Sequence, residues 1–182
     1  YGFIQNDVKV AYVTTELTTR GWLEQVGSIG YNMDNNIDDG KFLLISSFGV
    51  LADEIEENVD ILEVLNSPGV QEAQVIIIDR ASQLIPPDTN AKKLLSKIRK
   101  FNSQGRTVLL TIDNHEVDSR LIREMKNSAE LVLDLETATI GGDTVRTIAV
   151  TRFLRAAGPT QGRIGWKVMP QMGFIVDITA VS

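Results

Sequence analysis

The sequence predicts an α/β protein, a mostly parallel sheet flanked by helices with a C-terminal antiparallel β-meander. Three observations predict it. Short β-branched runs such as Val75-Ile76-Ile77-Ile78-Asp79 show no polar alternation, the habit of strands buried on both faces. Between these runs lie segments whose apolar residues recur three and four apart, the spacing of one helical face. From Thr137 onward the helical spacing disappears, and strand-like runs follow one another.

In chain order, Tyr1, Phe3 and Ile4 read as the tail of a helix closed by Asn6-Asp7, and residues 8–14 as a strand. That strand leads directly into Thr15-Glu16-Leu17-Thr18-Thr19. Trp22, Val26 and Ile29 give residues 18–29 a helical face, which Gly27 and Gly30 weaken and end. Residues 33–40 are polar and acidic and read as a loop; Phe42-Leu43-Leu44-Ile45 is a second buried strand. Leu51, Ile55, Val59, Leu62 and Leu65 predict one helix over residues 50–66, with an acidic outer face and a stop at Ser67-Pro68-Gly69. After the strand ending at Asp79, Pro86-Pro87 marks a break. Leu94, Leu95, Ile98 and Phe101 then form a helical face closed by Gln104-Gly105. Residues 108–112 read as a buried strand ending in Asp113-Asn114-His115, residues 117–125 as a short helix, and residues 131–135 as a strand. The meander follows on one edge of the sheet, over residues 146–151, 165–168 and 174–178, with Gly141-Gly142 as a hairpin tip.

The 182 residues suffice for one domain with a substantial core. No apolar run approaches the roughly 18 residues of a membrane span. The absence of cysteine excludes disulfides and thiolate metal sites, and a single histidine argues against a histidine-based zinc site. A net charge of −6, from 18 basic and 24 acidic residues, argues against a duplex-binding surface, which needs a basic patch.

Three polar groups fall just past the carboxyl ends of successive candidate parallel strands: Glu16, Asp79, and Thr111 with Asn114. Open α/β sheets place their ligand crevice at that end. Four apolar residues closed by aspartate also match the strand whose carboxylate holds the Mg²⁺ of a bound nucleotide. A second carboxylate for water and a neutral polar group near the terminal phosphate would complete a hydrolase set.

The stretches Tyr1-Gly2-Phe3, Tyr12-Val13-Thr14-Thr15-Glu16-Leu17-Thr18-Thr19, Val75-Ile76-Ile77-Ile78-Asp79 and Pro170-Gln171-Met172-Gly173-Phe174-Ile175-Val176 carry a resemblance to the RecA-like ATPases. Within them the chain is similar to the archaellum-motor members of the KaiC-like branch. The likeness runs over nearly the whole chain, and the strand leading into Thr-Glu-Leu-Thr-Thr is its most specific piece. It implies an ATP-binding, ring-forming (hexameric) homo-oligomer of archaea. Such a protein is cytoplasmic, lies peripheral to a membrane-embedded motor, and works with a secretion-type ATPase and a membrane platform protein. By the same resemblance Glu16 takes the catalytic position, Asp79 holds Mg²⁺, and Thr111 and Asn114 sense the nucleotide. Arg152 and Arg155 reach a neighbour's ATP, although a spacing of three would point them to opposite faces of a regular strand.

The phosphate-loop motif G-x-x-x-x-G-K-[ST] does not occur in the sequence. In the family it lies just upstream of the segment matching Tyr1-Gly2-Phe3. Residues 1–182 are therefore expected to be a single domain lacking that segment and its central strand; whether the longer protein hydrolyses ATP slowly or only binds it is open, and residues 1–182 alone are expected to be inactive. The alternatives are a recombinase paralogue acting on DNA and a nucleotide-free scaffold of the same fold. The first needs basic loops after the Asp79 and Thr111 strands, yet residues 80–90 and 113–118 carry Arg80 as their only cation.

Overall fold

The strand Val75–Asp79 (β3) lies between Val10–Thr14 (β1) and Thr107–Leu110 (β4) in a parallel sheet, and Phe42–Ser46 (β2) pairs with the other side of β1. The computed structural model describes residues 1–46, 59–140, 143–159 and 162–176. The chain forms two compact units, Tyr1–Gly27 with Asn32–Met125, and Ser28–Tyr31 with Lys126–Ser182.

In the first unit the central strands β1 and β3 are buried on both faces because they alternate between two cores. Ala11 and Val13 of β1 and Ile76 and Ile78 of β3 face one cluster, while Val10 and Val75 face the other. The first cluster is roofed by α4 (Ile61–Asn66), α5 (Pro68–Glu72) and α6 (Ala91–Ser103), through Ile61, Leu65, Val70, Leu94 and Phe101. The second is closed by α1 (Gly2–Gln5), α2 (Thr19–Ser28) and α3 (Asp34–Asp38), with Ile4, Trp22 and Met33 against Phe42 and Leu44. A short 3₁₀ helix (Ala81–Leu84) follows β3, and α7 (Ser119–Ser128) follows β4.

Several elements differ from the sequence expectation. Residues 34–38 are helical rather than loop. The helix expected over residues 50–66 is not continuous. Asp60 is extended (φ −91°, ψ 166°) and caps a new helix in a reciprocal box with Glu63, satisfying free N–H groups that a helix running through would not have. The part at residues 50–58 lies outside the described residues. The stop expected at Ser67-Pro68-Gly69 is observed, since α4 ends at Asn66 with Ser67 as its cap, and Pro68 then opens α5 at its first turn, where the missing N–H costs nothing. β4 is not buried as expected: Leu109 is 43 % exposed, since among the described residues β4 pairs with β3 alone.

In the second unit β5 (Leu131–Ile140), β6 (Asp143–Phe153), β7 (Arg163–Met169) and β8 (Gly173–Val176) form an antiparallel sheet of their own. Among the described residues the meander is thus a separate sheet, not an extension of the parallel one. The tip expected at Gly141-Gly142 lies outside the described residues. Gly173 adopts φ +74° against the Tyr31 ring, where an added Cβ would meet the phenol oxygen at 2.5 Å.

Ile76 is fully buried between helix and sheet, so Ile76→Ala is expected to lower unfolding free energy by about 2–5 kcal/mol. Leu109→Ala should cost under about 1.5 kcal/mol, because half-exposed surface contributes little on burial. Urea unfolding of the two variants checks the order.

Candidate functional site

Parallel pairing sets Thr14 opposite Asp79 and Ser46 opposite Thr14, and Ile78 opposite Leu110. The carboxyl ends of all four strands are therefore level, and the loops leaving β1, β3 and β4 gather at one end of the sheet. After β1 comes Thr15-Glu16-Leu17, held by Thr14 Oγ1, which accepts from Glu16 N and Leu17 N at 3.3 and 3.4 Å. Ser46 Oγ donates to Leu17 O at 2.5 Å, so β2 anchors the same loop. Thr18 Oγ1 then accepts from Gly21 N at 3.0 Å and starts α2.

Asp79 is held from both sides. Thr111 Oγ1 donates to Asp79 Oδ1 at 2.7 Å, and Tyr12 OH donates to Oδ2 at 3.1 Å. The same Thr111 oxygen accepts from Arg80 N at 2.7 Å, so one hydroxyl fixes both the carboxylate and the turn after it. Backbone bonds from Ala81 N to Thr111 O (2.8 Å) and Thr111 N to Ile78 O (3.1 Å) carry the β3–β4 pairing past the strand ends. Burial pushes the Tyr12 phenol up to about 12, helped by the negative charges of Asp79 and Glu16 and opposed by Trp22. The phenol is accordingly a hydrogen-bond donor over the whole neutral range.

Beyond Asp79 the backbone turns left-handed at Arg80 (φ 50°, ψ 50°). The guanidinium pairs with Glu16 on one side and with Glu116 on the other, the latter at 2.5 Å. Ser82 Oγ donates to Glu116 Oε2 at 2.6 Å. The Arg80 and Ser82 hydrogen bonds hold the Glu116 carboxyl below its usual range, and the two glutamates raise Arg80.

Of the residues singled out in the sequence, Glu16, Asp79 and Thr111 are brought together at this end of the sheet. Asn114 sits in the exposed turn at residues 114–116 and is not a hydrogen-bond partner of those three. Arg152 and Arg155 belong to the second unit. Arg152 Nε donates to Ala129 O at 2.7 Å, and Arg155, at φ +61°, pairs with Glu130. The register shifts at Val132/Leu133, opposite Arg152, and Arg155 lies beyond β6, so the alternation of a regular strand does not govern this pair. Sequence reasoning missed Tyr12, Ser82 and Glu116. Tyr12 lies two positions before the residue that pairs with Asp79, a signal available once register is known. Glu116 carries no motif.

The donor set suits a hard divalent cation bridged to phosphate. Asp79 retains acceptor capacity beyond its two hydrogen bonds. Among the described residues no group of three or more His, Cys, Asp or Glu forms a metal cage. A single carboxylate completed by phosphate and water oxygens is how Mg²⁺ is commonly held.

No family model matches the chain. Three archaeal proteins, each named archaeal flagellar ATP-binding protein FlaH, align with all of it. That of Methanocaldococcus jannaschii is 28 % identical over 185 residues, 79 % of its length. Those of Methanococcus voltae and Sulfolobus acidocaldarius are 25 % and 26 % identical, over 80 % and 81 % of their lengths. The crystal structure of flagellar accessory protein FlaH from M. jannaschii matches 98 % of this chain and 80 % of that one, with a TM-score of 0.86 at 26 % identity. The fold is the RecA-like α/β fold, and the chain resembles FlaH along its whole length.

The Tyr12 phenol binds its proton more tightly folded than unfolded. Its contribution to stability is therefore complete below about pH 10 and is lost as pH rises toward about 12. Absorbance titration at 295 nm should show a component near 12 in the wild type that Tyr12→Phe removes.

Proposed function

We propose that the level strand ends form a site for Mg²⁺-ATP, and that the protein is an ATP-binding component of an archaeal motility motor. The position of Asp79 carries this reading. Its carboxylate is fixed between Thr111 and Tyr12 at the end of a buried parallel strand, beside Glu16, in a chain resembling proteins named for binding ATP. Asp79 would hold Mg²⁺, and bound Mg²⁺ would neutralise phosphate charge. Thr111 holds the carboxylate in place and shares its hydroxyl with the turn at Arg80. Glu16 would orient or deprotonate water, and Asn114 would lie at the rim. We further propose a homo-oligomeric ring in which Arg152 or Arg155 reaches a neighbour's nucleotide. The ring would be cytoplasmic, beside a secretion-type ATPase and a membrane platform protein. No described helix is long and apolar enough to cross a membrane.

The level strand ends give the carboxylates but no glycine-rich phosphate cradle, whose motif the sequence lacks. Residues 1–182 alone are therefore expected to show no ATP affinity at micromolar concentrations by calorimetry. Micromolar binding at defined stoichiometry would put the phosphates on other groups.

In the full-length protein Asp79→Asn should weaken Mg²⁺-ATP binding with the fold intact by circular dichroism. A variant that unfolds yet binds ATP normally in its folded fraction would make Asp79 a purely structural residue. Glu16→Gln should leave ATP affinity equal or higher, since a carboxylate beside a triphosphate is unfavourable. Hydrolysis should fall by about 10²–10⁴-fold, the share of a positioned base. Unchanged turnover would remove Glu16 from the chemistry.

A further inference from the structure

The helix α6 concentrates positive charge on an acidic chain. Residues 91–106 hold six cations, Lys92, Lys93, Lys97, Arg99, Lys100 and Arg106, a third of the 18 in the sequence, and none of its 24 acids. The apolar side of the helix packs into the core, where Leu94, Leu95 and Phe101 are buried. The three-and-four spacing of a helix sets the rest in two adjoining stripes, Lys92, Ser96, Arg99 and Ser103 beside Lys93, Lys97 and Lys100. Lys92, Lys93, Arg99 and Lys100 are exposed. Among the described residues Lys92, Lys93 and Lys100 enter no ion pair.

This arrangement costs stability in the free protein. Lys92 and Lys93 stand in the first turn, where the helix dipole favours acids, and no acid stands there. Lys93 and Lys97, four apart, and Lys97 and Lys100, three apart, are like-charged neighbours. Burial, and after it the charges of Lys100 and Arg106, push the Lys97 ammonium below its usual range. Two of the cations are fixed in place. Arg106 donates to Val70 O and Ala73 O at 2.8 Å, and Lys97 donates to Asn66 Oδ1 at 2.6 Å. Both lie over the Phe101 ring, 4.2 Å from its centroid for the guanidinium carbon and 5.2 Å for the ammonium. A helix serving only as a roof over the core would be more stable with acids among these cations. The repulsion turns to advantage only against an anionic partner.

We propose that the outer face of α6 docks an acidic polypeptide segment of a partner protein, its carboxylates set against Lys92, Lys93 and Lys100. The site is separate from the strand ends and does not depend on what binds there. From Lys92 to Lys100 the helix rises about 12 Å, the reach of about four residues of extended chain. An anionic bilayer is wider than α6 and meets α4 and α5 as well, where Glu63 and Glu72 are exposed. The helix also has no exposed apolar side chain to insert into lipid.

The test uses full-length protein and a fluorescein-labelled peptide of ten glutamates, read by anisotropy at low salt. Lys93→Gln with Lys100→Gln is expected to weaken binding by about 5-fold or more, the loss of two exposed charge pairs. Arg20→Gln with Lys41→Gln removes the same charge away from α6 and should weaken it by less than about 2-fold. No peptide binding, or an equal loss in both variants, overturns the docking site. Urea unfolding should find the Lys93→Gln, Lys100→Gln variant at least as stable as wild type, because repulsion is relieved. A less stable or unfolded variant makes these lysines structural and overturns the proposal. Phosphatidylglycerol vesicles or a DNA duplex bound more tightly than the peptide, and lost in the same variant, overturn the polypeptide as occupant. Self-association that this variant alone abolishes in ultracentrifugation does so too, by making the occupant a second copy.

Discussion

The register of the parallel sheet is the constraint on which the rest of the structure depends. Thr14 opposite Asp79 and Ile78 opposite Leu110 put the ends of β1, β3 and β4 on one level. A slip of one residue would turn Val13, Ile76 and Ile78 out of a fully buried cluster, so the two cores hold the register in place. Only with that register can Thr111 reach Asp79 at 2.7 Å while Tyr12 reaches the same carboxylate from the other side. The polar arrangement at the sheet end is a consequence of apolar packing lower down the strands.

Charge at this end of the sheet is unevenly balanced. Glu16, Asp79 and Glu116 lie around one cation, Arg80, which is committed to two of the three. The carboxylate left without a cation, Asp79, is held by two neutral hydroxyls instead. Neutral donors orient a carboxylate without quenching its charge, which leaves it suited to a metal ion. A polyanionic ligand finds no surplus positive charge among these groups. It would need a divalent cation and donors from elsewhere to approach three carboxylates closely.

Much of the fold was legible because its strands are short β-branched runs and its helices keep a three-and-four spacing. Val75-Ile76-Ile77-Ile78 could not be placed otherwise, and Leu94, Leu95 and Phe101 do line one buried face of α6. The helical face over residues 50–66 misled at Val59 and Asp60. Apolar periodicity carries through a break, whereas the Asp60–Glu63 capping box is a local polar signal that periodicity does not weigh. Likewise β4 reads as buried from its composition, while Leu109 shows that burial depends on neighbours the local sequence does not specify. Glu16, Asp79 and Thr111 could be placed at the strand ends from sequence because strand ends are recognisable one at a time. Tyr12, Arg80 as a bridge, and Glu116 were not, because their roles arise from side chains 36 to 67 positions apart meeting across the register.

The most direct measurement is anomalous scattering from crystals of the full-length protein grown with Mn²⁺ and ATP. A metal peak within coordinating distance of the Asp79 carboxylate, with Thr111 still donating to that residue, is the expected result. Nucleotide bound with its metal away from Asp79, or no nucleotide at this end of the sheet, would contradict the account.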